Sequence, residues 1–165
     1  MDIPPICIPN NKIDFEQARY MSLALTLAQE AREDGEAPVG CVITDNAGAI
    51  IGCGRNRREK EKNAIAHAEL EAITSACKAL GDWRLTGCSL YVTLEPCPMC
   101  AGAIIMARIG KVFFGTRDAL TGSCGSVINL FMEPYAHSTK ITGGILADEC
   151  SAILTGFFNK VRGDK

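Results

Sequence analysis

The sequence lacks an excess of charge of either sign, has few aromatic residues and contains no long apolar run. Its 165 residues carry 17 Lys and Arg against 19 Asp and Glu, a net charge of -2, and aromatic residues make up 6% of the chain. The balanced charge excludes a global basic field of the kind that attracts nucleic acid, so any RNA contact has to be local. Because no stretch reaches the roughly 18 consecutive apolar residues of a membrane-spanning helix, we expect no membrane association.

Histidine is scarce, with two residues, whereas cysteine is plentiful, with nine. The cysteine number is odd, and at roughly 5% of the chain it lies below the roughly 8 to 10% of short disulfide scaffolds. Several cysteines sit singly inside apolar runs, as small hydrophobic residues do. The beginning of the sequence shows neither a basic leader nor a continuous apolar segment typical of secretion. We therefore expect a protein of the reducing cytoplasm.

Length and composition favour one globular domain over residues 14–165, because 47% of the chain is hydrophobic. Residues 1–13 contain three prolines and are predicted to form an N-terminal arm. The remaining pattern alternates helices and strands, which predicts an α/β sandwich. In chain order we predict a helix capped by Asp14 and ended by Gly35, strands 40–44 and 49–52 as a hairpin, a polar loop 55–62, a helix from His67 to Gly81, a strand 88–93, a helix 97–108, strands 111–115 and 138–142, and a helix 146–161.

Two short motifs carry the chemistry: His67-Ala68-Glu69 and Pro96-Cys97-Pro98-Met99-Cys100. One imidazole and two thiolates are ligands that zinc favours, and three protein ligands leave a fourth tetrahedral position for water. Zinc lowers the pKa of bound water toward about 7, which makes hydroxide available at neutral pH. The motifs therefore predict a catalytic zinc site with His67, Cys97 and Cys100 as ligands and Glu69 as the residue that moves protons.

The predicted elements bring the two motifs together. A helix that packs antiparallel to the strand 88–93 begins level with the end of that strand, where the chain enters the next helix, and both elements span roughly 20 Å. Pro98 suits the first helical position, so Cys97 is the expected N-cap and Cys100 the third helical residue. Two helix N-termini then face the thiolates and favour their ionised forms. On a regular helix His67 and Glu69 point apart, so we expect an irregular first turn in which both reach the metal site.

Four longer segments resemble those of the zinc-dependent cytidine-deaminase-like proteins and, within them, the bacterial tRNA-specific adenosine deaminases: residues 37–40, 90–97, 114–122 and 144–150, the last followed by Phe157-Phe158. The resemblance implies a three-layer α/β/α fold around a mixed sheet of about five strands. It also implies a cytoplasmic homodimer with one Zn²⁺ per subunit. The implied reaction is hydrolysis of the wobble adenosine of a transfer RNA to inosine, with Glu69 as the proton carrier.

By position, the resemblance further implies that several residues contact the anticodon stem-loop: Asn56, Asp118, Phe157, Phe158 and Arg162. Two departures lie near these contacts. The family commonly has Asp-Pro-Thr where this chain has Asn63-Ala64-Ile65, and Ala136 replaces an asparagine often seen before His137.

Two alternative functions remain open at the level of sequence. The Pro-Cys-Pro-Met-Cys motif is equally compatible with deamination of a free base or nucleoside such as guanine or cytosine, which the net charge also suits. A structural zinc module is the other alternative, with Glu69 or His137 as the fourth ligand. The basic residues of loop 55–62 are compatible either with a solvated loop or with a phosphate-lined entrance.

Overall fold

The computed structural model describes residues 14–164, so the predicted arm over residues 1–13 lies outside the described residues. In chain order the elements are α1 (Phe15–Glu33), β1 (Gly40–Thr44), β2 (Ile50–Arg55), α2 (Arg58–Glu61), α3 (Ala68–Leu80), β3 (Ser89–Leu94), α4 (Pro98–Met106), β4 (Lys111–Thr116), a 3₁₀ helix (Leu130–Met132), β5 (Lys140–Thr142) and α5 (Ala147–Gly163). Asp14 caps α1 as predicted, since its side chain accepts a hydrogen bond from the Glu16 N–H.

The five strands form one mixed sheet in the order β2-β1-β3-β4-β5. The pairs β2-β1 and β1-β3 are antiparallel, whereas β3-β4 and β4-β5 are parallel. The parallel strands β3 and β4 therefore end at the same edge of the sheet, and the chain enters α4 from that edge. This arrangement confirms the predicted mixed sheet of about five strands.

Alternate strand residues face opposite layers of helices. Ile43, Val92 and Phe114 belong to the core beneath α3 and α4. Their neighbours Val42 and Phe113 belong to a second core beneath α1, which also includes Cys150 of α5. Helices therefore cover both faces of the sheet, and the three-layer α/β/α arrangement is confirmed.

The buried face of α3 differs from the predicted one. The sequence pattern favoured Leu70, Ile73, Cys77 and Leu80, but the fully buried apolar residues are Ala68, Ala72 and Ala76, and Leu80 is 44% exposed. The reason lies in β2, where Gly52 and Gly54 have no side chains. A Cβ atom at either glycine would overlap a backbone carbonyl of α3, so helix and strand lie in close contact and alanine is the side chain that fits between them.

The same close packing explains why β2 continues through both glycines to Arg55, beyond the predicted end at residue 52. Helix α3 ends at Gly81 as predicted, with a left-handed φ of 66°. Helix α4 ends before residue 108, because Arg108 also adopts a positive φ, 61°. The predicted polar loop contains the short helix α2, and β5 is two residues shorter than predicted. Among residues 14–164, no helix combines the length and apolar character needed to cross a membrane.

Candidate metal centre and catalytic site

Both motifs lie at helix starts, as the spacing predicts. His67 is the N-cap residue of α3 and Cys97 the N-cap residue of α4, with Pro98 in the first turn. Neither N-cap side chain makes a capping hydrogen bond to its own helix, which leaves the imidazole and the thiol available for other partners. The two helices therefore aim their free N–H groups at one place, next to the ends of β3 and β4.

The donor atoms of His67, Cys97 and Cys100 all lie within 4.8 Å of one another. The His67 Nδ1 atom is 3.8 Å from Cys97 Sγ and 3.5 Å from Cys100 Sγ. In a tetrahedral zinc site, Zn–N and Zn–S bonds of about 2.0 and 2.3 Å place nitrogen and sulfur about 3.6 Å apart. The three side chains thus fit a zinc ion in ligand type, number and spacing.

The three side chains of this cluster shift one another's pKa values. The hydrogen bond from the Cys100 thiol, together with His67, lowers the pKa of Cys97 to about 4, although burial opposes the shift. The same hydrogen bond, with burial, raises the pKa of Cys100 well above its usual value, since Cys100 is the donor. The hydrogen bond to Cys97 raises the pKa of His67. The lowered pKa favours the thiolate form of Cys97, the form in which cysteine binds zinc.

Glu69 lies beside the cluster, and its side chain is 4% exposed. Burial raises the pKa of its carboxyl group to about 7, while its own backbone N–H opposes the shift. The pKa of Glu69 is also raised by the charge of Cys97 and lowered by that of His67, so the carboxyl group lies within electrostatic reach of both. Both side chains can lie near the cluster because the backbone of His67, the N-cap residue, is extended, whereas the backbone of Glu69 is helical.

Asn56 supports the start of α3 from outside the helix. Its Oδ1 atom accepts a hydrogen bond of 3.0 Å from the Ala68 N–H, and the residue is 7% exposed. Its own N–H donates to the Val39 carbonyl. The structure thus gives Asn56 a role in orienting the His67 turn, and its contact with substrate stays a prediction.

A second buried carboxylate, Glu95, was missed by sequence reasoning. Glu95 is 2% exposed and lies between the end of β3 and the ligand Cys97. Its Oε1 atom accepts hydrogen bonds from the N–H groups of Cys124 (2.9 Å) and Ser126 (3.1 Å). Its Oε2 atom accepts one from the Asp118 N–H (3.0 Å) and one from the Ser126 hydroxyl. A charged residue between a buried strand and a metal ligand is the signal that could have identified it.

A third buried carboxylate, Glu36, holds the segment before His67. It is 2% exposed and accepts hydrogen bonds from the N–H groups of Glu59 and Lys60 in α2. The predicted basic loop is also ion-paired to its surroundings. Arg55 pairs with Glu30 and Asp34, Arg57 with Glu71, and Lys60 with Asp34. These pairs favour the solvated-loop interpretation over a phosphate-lined entrance.

The predicted RNA contacts fall into two places. Asp118 is half-buried and accepts hydrogen bonds from the N–H groups of Leu120 and Thr121 and from the Thr121 hydroxyl, so it organises its own turn. Phe158 and Arg162 line a surface pocket of about 300 Å³ together with Arg117. Phe158 is 45% exposed. Phe157 does not line this pocket but packs edge-on against Phe158, with 5.3 Å between the ring centroids.

His137, the alternative nitrogen ligand, lies away from the cluster. Its Nε2 atom is 2.9 Å from the Ile109 carbonyl, just before the start of β4, whereas the cluster lies at the opposite end of that strand. The structural-zinc alternative therefore loses one of its two candidate fourth ligands.

Residues 15–116 match the family described as the cytidine and deoxycytidylate deaminase zinc-binding region. The chain is 48% identical over 147 residues to the tRNA-specific adenosine deaminase of Bacillus subtilis strain 168, across 88% of this chain and 91% of that protein. It also resembles a solved structure from work on A-to-I editing by tRNA:A34 deaminases at the wobble position, with a TM-score of 0.79, 40% identity and coverage of 82% of this chain and 99% of the other. The guanine deaminase of Bacillus subtilis gives a TM-score of 0.58 at 42% identity, across 64% and 66% of the two chains.

Proposed function

The chain belongs to the cytidine and deoxycytidylate deaminase family of zinc-binding proteins, and from this we propose that it hydrolyses the wobble adenosine of a transfer RNA to inosine. The observation that carries the proposal is the buried Glu69 carboxyl group beside a cluster of three zinc-ligand side chains. A tRNA substrate is favoured over a free base, because the likeness to tRNA deaminases combines high identity with near-complete coverage: 48% identity over 91% of the Bacillus subtilis protein, and a TM-score of 0.79 with the A34 deaminase structure, against 0.58 with the guanine deaminase.

The proposed reaction is adenosine plus water to inosine plus ammonia. Zinc held by His67, Cys97 and Cys100 would supply a Lewis acid that makes water a nucleophile at neutral pH. Glu69 accepts a proton from the water that attacks carbon 6 of adenine and delivers it to ring nitrogen N1. The second proton, from the hydroxyl group now on carbon 6, passes through Glu69 to the amino group, and the C6–N bond breaks as ammonia leaves and the C6 carbonyl of inosine forms. Burial of Glu69 excludes bulk water from these transfers.

We further propose that the RNA binds along the edge of the sheet where β3 and β4 end. Asn56 contacts the flipped nucleoside, and Asp118 contacts the RNA next to it. At the surface pocket, the exposed Phe158 ring stacks on an unpaired base with Phe157 behind it, and Arg162 neutralises phosphate. The net charge of -2 is compatible with this proposal because the cations are local.

The protein is proposed to act in the cytoplasm as a homodimer. A group of exposed apolar side chains near α4 and the 3₁₀ helix supports self-association: Met106, Val127, Ile128 and Met132. The molar mass in solution, measured by light scattering, tests this proposal. A mass near twice 17.7 kDa is expected, and a mass near that of one chain would contradict it.

The experiment that tests the function compares substrates on one preparation of zinc-loaded protein. The substrates are an anticodon stem-loop with adenosine at the wobble position, the same stem-loop with guanosine there, and free adenosine, guanine and cytosine. We expect ammonia and inosine from the adenosine stem-loop alone. Ammonia released only from a free base or nucleoside would refute the tRNA function and support the free-base alternative, which the guanine deaminase likeness favours.

A further inference from the structure

The geometry assigns to Glu95 a role as a positioning residue that holds residues 117–126, the Glu95 loop, in place next to the metal ligands. Glu95 acts through this loop and does not touch the reacting atoms. The inference rests on the proposed function, because it is the reaction with RNA that the loop would affect.

The backbone already joins the Glu95 loop to the ligand segment. The Glu95 N–H donates to the carbonyl of Thr116, the β4 residue that precedes the loop (2.9 Å), and the Ser123 N–H within the loop donates to the Pro96 carbonyl (2.9 Å). Pro96 immediately precedes the ligand Cys97. A shift of the loop is therefore opposed by contacts within two residues of the metal cluster.

The Glu95 side chain adds four further hydrogen bonds, two to each carboxylate oxygen, all from the Glu95 loop. A carboxylate suits this position because it accepts hydrogen bonds at both oxygens, whereas the amide of glutamine accepts at one atom and donates at the other. In Glu95→Gln, the amide NH₂ would face N–H donors at one end of the carboxylate site. The substitution keeps the size of the side chain and disturbs the loop.

Gly122 shows how closely the loop lies against the carboxylate. A Cβ atom at Gly122 would overlap Glu95 Oε2 and the Asp118 carbonyl, so Gly122→Ala would displace the loop with Glu95 itself unchanged. Gly110 offers a matched control, because a Cβ there has its nearest neighbour at 3.6 Å, an ordinary van der Waals distance.

The loop carries the groups that the proposed RNA complex needs. Asp118, whose N–H is bound to Glu95, lies next to Arg117, which lines the surface pocket with Phe158. Loss of the Glu95 hydrogen bonds would therefore act on RNA binding through Asp118 and its neighbours.

Glu36 offers a control. It accepts hydrogen bonds from two N–H groups of α2 but is bound to no part of the Glu95 loop, so Glu36→Gln measures the effect of losing a buried carboxylate elsewhere in the fold.

A double-mutant cycle tests the proposal on the zinc-loaded full chain. The rate of inosine formation in the adenosine stem-loop, at limiting and saturating enzyme, is compared for Glu95→Gln, Asp118→Ala and the double variant. We expect about a 100-fold fall in kcat/KM for Glu95→Gln with zinc content unchanged, and a double variant within about threefold of Glu95→Gln, because residues that act as one unit are not additive. Glu36→Gln combined with Asp118→Ala should instead be additive.

Two results with the Glu95 variants would overturn the positioning role: multiplicative effects of Glu95→Gln and Asp118→Ala, or a loss of zinc in proportion to activity. Gly122→Ala tests the role without replacing Glu95 and should reproduce the fall in kcat/KM, while Gly110→Ala matches the unsubstituted protein. An unimpaired Gly122→Ala variant would also contradict the proposal. Inactivity of the unsubstituted protein on the stem-loop, with activity on a free base, would refute the proposed function instead.

Discussion

Glu69 and Glu95 are both buried next to the three side chains that could hold a zinc ion, yet their surroundings differ. Glu69 follows His67 by two residues and is 4% exposed, and Glu95 precedes Cys97 by two residues and is 2% exposed. Four hydrogen bonds occupy both oxygens of Glu95. Glu69 faces the cysteine cluster with its own N–H as the backbone donor, and burial raises its pKa to about 7. The comparison indicates that the number of donors decides whether a buried carboxylate anchors a loop or can exchange protons.

Removal of the metal should lower the deamination rate more than any of the substitutions below. It should leave the structure of the Glu95 loop unchanged. After chelation we expect deamination to fall to background, because the Glu69 carboxylate without a Lewis acid is too weak a base to make water an effective nucleophile, and to return on addition of zinc. Hydrogen exchange at the amides of Asp118, Cys124 and Ser126 should stay protected, since their acceptor is Glu95. Loss of that protection together with the metal would show that the loop depends on zinc.

Glu69→Gln should lower the deamination rate by about 10²–10⁴-fold, the range of general acid-base catalysis. The amide keeps the size of the side chain but cannot carry the proton. Zinc content, measured on the same sample by mass spectrometry, should stay near one per chain. The control is Glu71→Gln, because Glu71 is a partly exposed glutamate of the same helix. A fully active Glu69→Gln variant would exclude Glu69 as the proton carrier.

Glu95→Ala should lower stability as well as kcat/KM, whereas the change at Glu69 should lower the rate alone. Glu95→Ala leaves the N–H groups of Asp118, Cys124 and Ser126 without their acceptor, and each unsatisfied buried donor costs about 1–3 kcal/mol. We expect the free energy of unfolding, measured in urea, to fall by about 3 kcal/mol, and that of Glu69→Gln to change by less than about 1 kcal/mol. Equal losses for the two variants would remove the distinction between anchor and proton carrier.

Phe158→Ala should have the smallest effect, because Phe158 lines the surface pocket and neither carboxylate does. Stacking on an aromatic ring is worth about 1–3 kcal/mol per base, so the Kd for the stem-loop should rise by about tenfold. The rate at saturating enzyme should be unchanged. A lower saturated rate with an unchanged Kd would mean that Phe158 acts on the chemical step, contrary to its place at the surface pocket.

Local rules predicted that His67, Cys97 and Cys100 lie together, because these residues belong to two helix starts. Pro98 and Gly81 mark helix boundaries within a few residues of sequence, and the spacing of Cys97 and Cys100 is set by one helical turn. The buried face of α3 depends instead on Gly52 and Gly54 in the strand β2. The hydrophobic periodicity of the helix sequence does not reveal this contact.

Glu95 escaped prediction for the same reason. Its partners lie 23 to 31 residues further along the chain, in a segment with few helix or strand signals. The hydrogen bonds to Asp118 and Ser126 form only when β3 and β4 lie side by side. The position of a charged residue between a buried strand and Cys97 is a local signal for Glu95, but the identity of the N–H groups that it binds follows from tertiary packing alone.

The most direct measurement is X-ray absorption at the zinc edge on the unsubstituted protein and on Glu69→Gln. We expect both samples to show two sulfur ligands at about 2.3 Å and two lighter ligands at about 2.0 Å, since three protein side chains bind the ion and Glu69 does not. A coordination shell that loses a light ligand in Glu69→Gln would place the carboxylate on the metal and contradict its role as the proton carrier.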